Sequence, residues 1–136
     1  MPKIHTFVDA NVLIAAFRGN PDLSQRAMEI LDDPEREFIV SDYLKLEVIP
    51  KPTFHRQEEE LQFMKAYFDS ASILIESSPS ITLKAFDLAC KYNLNAFDAM
   101  HAGTAFYANA AELITLENPT KPLYQITEVK VKSLLN

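Results

Sequence analysis

Short runs of apolar and β-branched residues alternate in this chain with longer segments whose apolar positions recur at helical spacing. The short runs predict buried strands at residues 4–8, 37–40 and 112–116, and residues 122–126 are assigned as the last strand. Residues 72–75 form another apolar run of undetermined type. The helical pattern predicts helices at residues 10–18, 23–31, 42–49, 55–70, 81–92 and 96–109.

Strands that alternate with helices predict an α/β fold, a three-layer sandwich around a central and mostly parallel sheet. The chain has 136 residues and shows no internal repeat, low-complexity stretch or linker, so we expect a single domain spanning residues 1–136. In such folds ligands bind beyond the carboxyl ends of the strands. Polar residues that directly follow a strand are therefore the first functional candidates.

Four carboxylates stand where a strand or helix ends or beside an apolar stripe: Asp9, Glu47, Asp98 and Glu117. Acidic side chains aimed at a core or cleft need compensation, so convergent carboxylates require protons or a divalent cation. A set of oxygen ligands selects hard ions such as Mg²⁺ or Mn²⁺, which hydrolyse phosphate esters. The sequence thus predicts a metal-dependent hydrolase if the four acids meet.

Each acid also has an ordinary structural explanation. Asp9 suits an N-cap as well as a ligand, and Glu47 and Glu117, taken singly, suit a solvated helix residue and a turn residue. Asp98 fits the third helical position after a capping Asn95, which is compatible with a ligand role. It also begins a helical stripe that we expect to face the sheet, completed by His101, Ala102, Ala105, Phe106 and Asn109.

The polar neighbours of these acids are weaker candidates. Asn11 could orient Asp9, and Thr115 could hydrogen-bond a carboxylate or a phosphate. We interpret Ser41 as a helix cap rather than a nucleophile, because no histidine is placed by sequence to activate it. His101 is interpreted as the partner of a neighbouring acid, with Asp98 as the candidate.

Composition narrows the class of protein. A net charge of −6 argues against a general nucleic-acid coating protein but leaves room for an enzyme that meets phosphate through a metal. The single cysteine excludes an internal disulfide framework or thiolate zinc site. No apolar run is long enough to span a bilayer, and the N-terminus lacks a signal-peptide layout, so we expect a cytoplasmic protein.

Three further interpretations concern packing. The row Leu61, Met64, Tyr67 and Phe68 is assigned first to the core and second to a partner contact. Cys90 is assigned to the core, and residues 58–60, three consecutive glutamates, are assigned to a solvated helix face.

Four segments together resemble the PIN-domain ribonucleases, and among them the small VapC-type toxins. Residues 7–11, Phe-Val-Asp-Ala-Asn, are similar to the opening motif of that family, and Ser41 with Glu47 matches its serine and second acid. Residues 95–102 resemble the segment of the third acid, and residues 113–117 correspond to the fourth motif. Glu117 stands where the family usually has aspartate.

The resemblance implies a sheet of order 3-2-1-4-5 and an Mg²⁺- or Mn²⁺-dependent endoribonuclease that hydrolyses RNA phosphodiester bonds. It implies that the catalytic metal ligands are Asp9, Glu47, Asp98 and Glu117, the last directly or through water. Four other residues would orient these ligands or position phosphate: Asn11, Ser41, Thr115 and His101. A VapC-type toxin would form a homodimer and be neutralised by a small antitoxin.

The alternatives are a PIN domain with another role and two other carboxylate-based α/β classes, which fit the sequence less well. A catalytically weak PIN domain that binds RNA or a protein partner is favoured by the acidic charge and by the unusual Glu117. A haloacid-dehalogenase-type phosphatase would have aspartate at position 11, where this chain has Asn11. A receiver domain would have an early acidic pair and a phosphorylatable aspartate in mid-chain, and neither is evident.

Overall fold

A computed structural model describes residues 2–135, which contain one five-stranded sheet in the order β3-β2-β1-β4-β5. Every neighbouring pair of these strands is parallel. The strands are β1 (Ile4–Val8), β2 (Arg36–Ser41), β3 (Ile73–Ile75), β4 (Glu112–Thr115) and β5 (Val131–Ser133). The predicted α/β fold and strand order are thereby confirmed.

Helices fill the connections between the strands of this sheet. They are α1 (Ala10–Arg18), α2 (Pro21–Leu31), α3 (Asp42–Val48), α4 (Pro50–Phe54), α5 (Glu58–Ser70), α6 (Pro79–Tyr92) and α7 (Ala96–Tyr107). A 3-10 helix, Pro122–Gln125, lies between β4 and β5. In the described part of the chain, no helix is long and apolar enough to cross a membrane.

Local sequence explains most helix starts. Asn20, Ser41, Ser78 and Asn95 each cap a helix by accepting the backbone N–H three residues later. Ser41 is therefore the cap that its sequence position predicted. Helix α6 ends at Asn93, whose φ of 59° lies in the left-handed region that stops a helix.

The structure departs from the prediction at two places, an additional helix α4 and a later start of α5. The segment 50–52 ends α3 as expected, but proline is also favourable in the first turn of a helix, and the short helix α4 starts there. Helix α5 begins at Glu58 rather than at residue 55, because Arg56 has a φ of 54° that no right-handed helix accepts.

The predicted last strand at residues 122–126 is also wrong. Its Pro122 lacks an N–H for a sheet, and the segment forms the 3-10 helix instead. The run at residues 72–75 forms β3 at one edge of the sheet, and the other edge is β5, which pairs with β4.

The core lies on both faces of the central strands, as a parallel sheet covered by helices requires. Phe7, Ile39, Leu113 and their strand neighbours are buried, and the α5 row packs against them. The predicted core role of that row is confirmed for its three buried members, and Phe68 is partly buried.

Three side chains depart from their predicted environments. Cys90 is exposed, and Glu60 is buried, with Oε1 3.5 Å from Arg18 Nε. On α7 the buried stripe stops short of its predicted end, because Phe106 (41% exposed) and Asn109 face solvent. The Lys84 ammonium lies 4.2 Å from the centre of the Phe106 ring and covers part of it.

One buried acid at the start of β4 was not singled out by sequence. Glu112 accepts from Thr6 Oγ1 (2.6 Å) and Arg36 Nε (2.7 Å), and pairs with Lys132 Nζ (2.9 Å). Burial alone would raise its pKa, but these donors lower the pKa to about 2. This network of hydrogen bonds and ion pairs joins β1, β2, β4 and β5. It lies towards the end of the sheet where the strands begin, opposite their carboxyl ends.

Candidate functional site

Four acids and a histidine approach one another beyond the carboxyl ends of β1 and β4. Asp9 follows β1, Glu47 lies on α3, and Asp98 lies in the first turn of α7. Potential ligand atoms of Asp9, Glu47 and His101 all lie within 4.8 Å of one another. The charges of Asp9, Glu117 and Glu47 each act on Asp98, so the four acids form one electrostatic cluster.

Asp9 is only 2% exposed and occupies the N-cap position of α1, yet its side chain makes no capping hydrogen bond. Its Oδ2 accepts instead from Thr115 Oγ1 at 3.0 Å. Burial raises the pKa of Asp9, and the Glu47 charge adds to this, while His101 and the Thr115 hydroxyl offset part of it. A buried carboxylate that does not cap its helix needs another reason to be there.

Glu47 reaches the cluster from α3. Its Oε1 lies 2.6 Å from His101 Nε2, and its side chain remains partly exposed. The prediction that His101 partners a neighbouring acid holds, but that acid is Glu47 rather than Asp98.

Asp98 is held by the cap of its own helix. Asn95 Nδ2 donates to Asp98 Oδ2 at 3.0 Å, and the Asp98 backbone N–H donates to Asn95 Oδ1 at 2.9 Å. Burial raises the pKa of Asp98 to about 6, with further contributions from the charges of Asp9, Glu117 and Glu47. The capping geometry and a position inside the acid cluster therefore coexist, as the sequence predicted.

Glu117 lies across a cleft from Asp98, and both acids lie outside the close group of Asp9, Glu47 and His101. The Glu117 backbone N–H donates to Thr115 Oγ1 at 3.0 Å, so the threonine connects Glu117 to Asp9. The cleft has a volume of about 260 Å³, and its remaining lining residues are Asn93, Leu94, Asn95, Lys121 and Pro122. Lys121 was not singled out by sequence.

The other polar candidates lie further from the centre of the cluster. Asn11 is exposed, and no hydrogen bond joins it to Asp9 within residues 2–135; Thr115 makes that contact instead. Ser41 is fully buried, and its Oγ accepts the Leu44 N–H as a helix cap.

A side chain of the protein hydrogen-bonds one carboxylate oxygen of each of Asp9, Glu47 and Asp98. The donors are Thr115 for Asp9, His101 for Glu47 and Asn95 for Asp98. Over the described ranges, no lysine or arginine forms an ion pair with these acids. A cluster of carboxylates that no lysine or arginine neutralises fits a hard divalent cation.

A parallel sheet of order 3-2-1-4-5 with an acidic centre at its carboxyl edge defines a protein of the PIN-like α/β class. The PIN domain family model matches residues 6–118, and the chain belongs to this family. No curated protein sequence is significantly similar to this chain.

Solved structures share the fold over nearly the whole chain. VapBC2 from Rickettsia felis, bound to a DNA fragment from its promoter, has a TM-score of 0.73 at 16% identity, covering 96% of this chain and 98% of that one. VapBC-1 from nontypeable Haemophilus influenzae has a TM-score of 0.72 at 19% identity, covering 98% and 100%. A toxin-antitoxin complex from Klebsiella pneumoniae has a TM-score of 0.69 at 25% identity, covering 91% and 94%.

Proposed function

We propose that this protein is a metal-dependent endoribonuclease and the toxin of a toxin–antitoxin pair, acting in the cytoplasm as a single domain. The observation that carries the proposal is the set of three acids, Asp9, Glu47 and Asp98, each fixed by a side-chain hydrogen bond and, in the described residues, without a lysine or arginine partner. Membership of the PIN domain family and the likeness to toxin–antitoxin complexes support it.

The cofactor proposed for this site is Mg²⁺ or Mn²⁺, because carboxylate oxygens are the preferred ligands of both ions. Asp9, Glu47 and Asp98 would hold the ion, and Glu117 would contribute from across the cleft, directly or through water. A bound ion of this kind activates water for attack on phosphorus and neutralises charge on the phosphoryl oxygens.

The protein itself fixes the relative positions of the acids and shields Asp9 from solvent. Thr115 holds Asp9 and the backbone of Glu117 at once, so it fixes the two sides of the site relative to each other. Burial of Asp9 strengthens its interaction with a cation, because less water competes for the carboxylate.

The proposed substrate is RNA, which would reach the acids along the cleft between Asp98 and Glu117. The Lys121 side chain lines this cleft. Its ammonium group would bind a phosphate next to the one being cleaved. A single such contact is consistent with a net charge of −6, because the ion rather than a basic surface would attract the phosphate.

Substitution of one acid tests the nuclease. We expect Asp98→Asn to abolish Mn²⁺-dependent cleavage of RNA while the circular dichroism spectrum stays that of the wild type. Asp87→Asn on α6 is the matched control, since Asp87 is exposed and makes only a 3.8 Å ion pair with Lys84. Full activity of the Asp98→Asn protein would exclude the proposed catalytic role.

Two partners belong to the proposal, a small antitoxin and a second copy of this chain. We assign the surface of α6 as the contact with the second copy, because Leu83 and Phe86 on this helix are 71% and 70% exposed. Beside them, α6 and α7 form an apolar groove of about 240 Å³, lined largely by alanines. A protruding Phe86 next to a groove on the same face is self-complementary, as an isologous dimer requires.

A catalytically weak PIN domain that binds RNA or a protein is the second candidate. It is favoured by the positions of Asp98 and Glu117, which both lie outside the close group of ligand atoms from Asp9, Glu47 and His101. Calorimetric titration with Mn²⁺, combined with an RNA cleavage assay, separates the two functions. An enzyme binds the ion and turns over RNA, whereas a binding module retains RNA or its partner without turnover.

A further inference from the structure

The His101 side chain is held rigidly inside the acid cluster. It is 1% exposed, and its ring lies between Phe7 and Phe97, with centroid distances of 5.3 and 6.0 Å. A ring packed in this way presents its nitrogens in fixed directions.

The hydrogen bond from His101 to Glu47 has a defined polarity. A carboxylate only accepts hydrogen bonds, so His101 Nε2 carries the proton and donates to Glu47 Oε1 over 2.6 Å. This contact crosses from α7 to α3, and it holds one oxygen of a flexible side chain. In the part of the chain described, the other ring nitrogen, Nδ1, is buried and has no hydrogen-bond partner.

We propose that His101 is a positioning residue of the metal centre, which aims Glu47 at the cation and does not bind the cation itself. The inference rests on the proposed metal-dependent function. In this proposal the His101 imidazole fixes Glu47 by a hydrogen bond. Thr115 does the same for Asp9, and Asn95 does the same for Asp98.

The geometry disfavours His101 as a ligand. For Nε2 to bind an ion it would lose its proton, and Glu47 would lose its only hydrogen bond among the described residues. The proton would then sit on Nδ1, which has no acceptor, whereas histidines that bind metals almost always donate their second N–H.

Calorimetric titration of Mn²⁺ into a set of variants tests the proposal. We expect His101→Leu to weaken Mn²⁺ binding about 10- to 100-fold, the usual effect of removing a group that orients a ligand. His101→Gln keeps an N–H donor and should recover most of the affinity. Circular dichroism shows whether both variants fold. If they do and the role of His101 is purely structural, the two variants should have the same Mn²⁺ affinity.

A double-mutant cycle with Glu47→Gln identifies the route of the effect. If His101 acts only through Glu47, then His101→Leu causes no further loss in the Glu47→Gln protein. Thr115→Val is the matched control, because it acts through Asp9 and should weaken binding in both backgrounds. A further loss from His101→Leu in the Glu47→Gln protein would contradict the proposal.

Pulsed electron paramagnetic resonance of the wild-type protein loaded with Mn²⁺ gives a test that needs no variant. We expect no coupling to an imidazole nitrogen, and a coupling of that kind would overturn the proposal. Failure of the wild type to bind Mn²⁺ would contradict the proposed function as a whole. Normal Mn²⁺ binding by His101→Leu would contradict only the role of His101.

Discussion

Asp98 carries a cost for the fold when no cation is present. Burial and the neighbouring negative charges raise its pKa from 3.8 to about 6, so the folded protein disfavours the ionised form. This cost is absent below about pH 4, develops between about pH 4 and 6, where only the unfolded state ionises, and is fully present at pH 7. A functional acid of this kind reduces stability until its ligand arrives.

Asp98→Asn should therefore stabilise the metal-free protein at pH 7.5, by on the order of 1 kcal/mol. The gain should be smaller at pH 5, where this cost has only partly developed. Mn²⁺ should raise the melting temperature of the wild type and have little effect on the variant, because the ion binds the native state through this acid.

Thermal denaturation at both pH values, with and without Mn²⁺, measures these effects. Asp87→Asn should melt like the wild type under all four conditions. An Asp98→Asn protein that melts below the wild type without metal would show that Asp98 stabilises the fold.

Glu112 differs from Asp98, because its hydrogen bonds and ion pairs outweigh the cost of burying its charge. Its pKa falls from 4.5 to about 2, so its contribution to stability is present above about pH 4.5 and is lost as the pH falls towards 2. Glu112→Gln leaves Arg36 and Lys132 without their buried partner, and we expect a loss of about 3 kcal/mol at pH 7.

Urea denaturation at pH 7 and at pH 3 tests the role of Glu112. The difference between Glu112→Gln and the wild type should narrow at the lower pH. Glu35→Gln, at an exposed position before β2, should be neutral at both. A difference that stays constant with pH would point to packing rather than charge.

At the scale of elements, the cap of α3 connects stability with function. Helix α3 has seven residues and carries Glu47, and its first turn depends on the hydrogen bond from Leu44 N–H to Ser41 Oγ. Ser41→Ala should cost about 1 kcal/mol of stability and should also weaken Mn²⁺ binding, because a frayed first turn shifts Glu47.

Ser78→Ala is the matched control for this prediction. Ser78 caps α6 through the Ile81 N–H, and α6 carries none of the four acids. We expect a similar loss of stability with unchanged Mn²⁺ affinity. Equal effects of the two substitutions on Mn²⁺ binding would mean that the cap of α3 does not position Glu47.

Elements defined by local chemistry could be predicted from sequence, and elements defined by distant contacts could not. Asn20, Ser41, Ser78 and Asn95 mark helix starts by capping, and most of the predicted helices begin within two residues of the observed ones. In contrast, β5 has three residues and exists through its pairing with β4, so no local pattern announces it.

The candidate site divides in the same way. Asp9 and Glu117 could be found because they follow strands, and Asp98 because Asn95 caps its helix three residues earlier. The bond between Glu47 and His101 joins positions 54 apart in sequence. The cleft shared by Lys121 and Asp98 is bordered by Pro122, the start of a 3-10 helix in the segment for which the sequence predicts a strand.

At the scale of the whole molecule, the α6 surface predicts how two copies would meet. Phe86→Glu should convert a dimer into a monomer, because a charge cannot enter the apolar groove beside α6 without a partner. Size-exclusion chromatography with light scattering measures this directly. Phe54→Glu on α4 changes another exposed aromatic, 81% accessible, and should leave the dimer intact.

Loss of the dimer in both variants, or in neither, would contradict the assignment to α6. The metal centre should be unaffected by Phe86→Glu, since Phe86 lies on α6, which carries none of the four acids. Mn²⁺ calorimetry on the monomeric variant therefore separates assembly from ion binding.

The two edges of the sheet, β3 and β5, have only three residues each. An edge this short offers few unpaired backbone N–H and C=O groups, and so it is a poor template for another strand. Growth of the sheet from one molecule into the next is thus disfavoured at both sides. A toxin held in a complex with an antitoxin, as proposed for this protein, would gain from this, because its chains could accumulate with little tendency to form fibres.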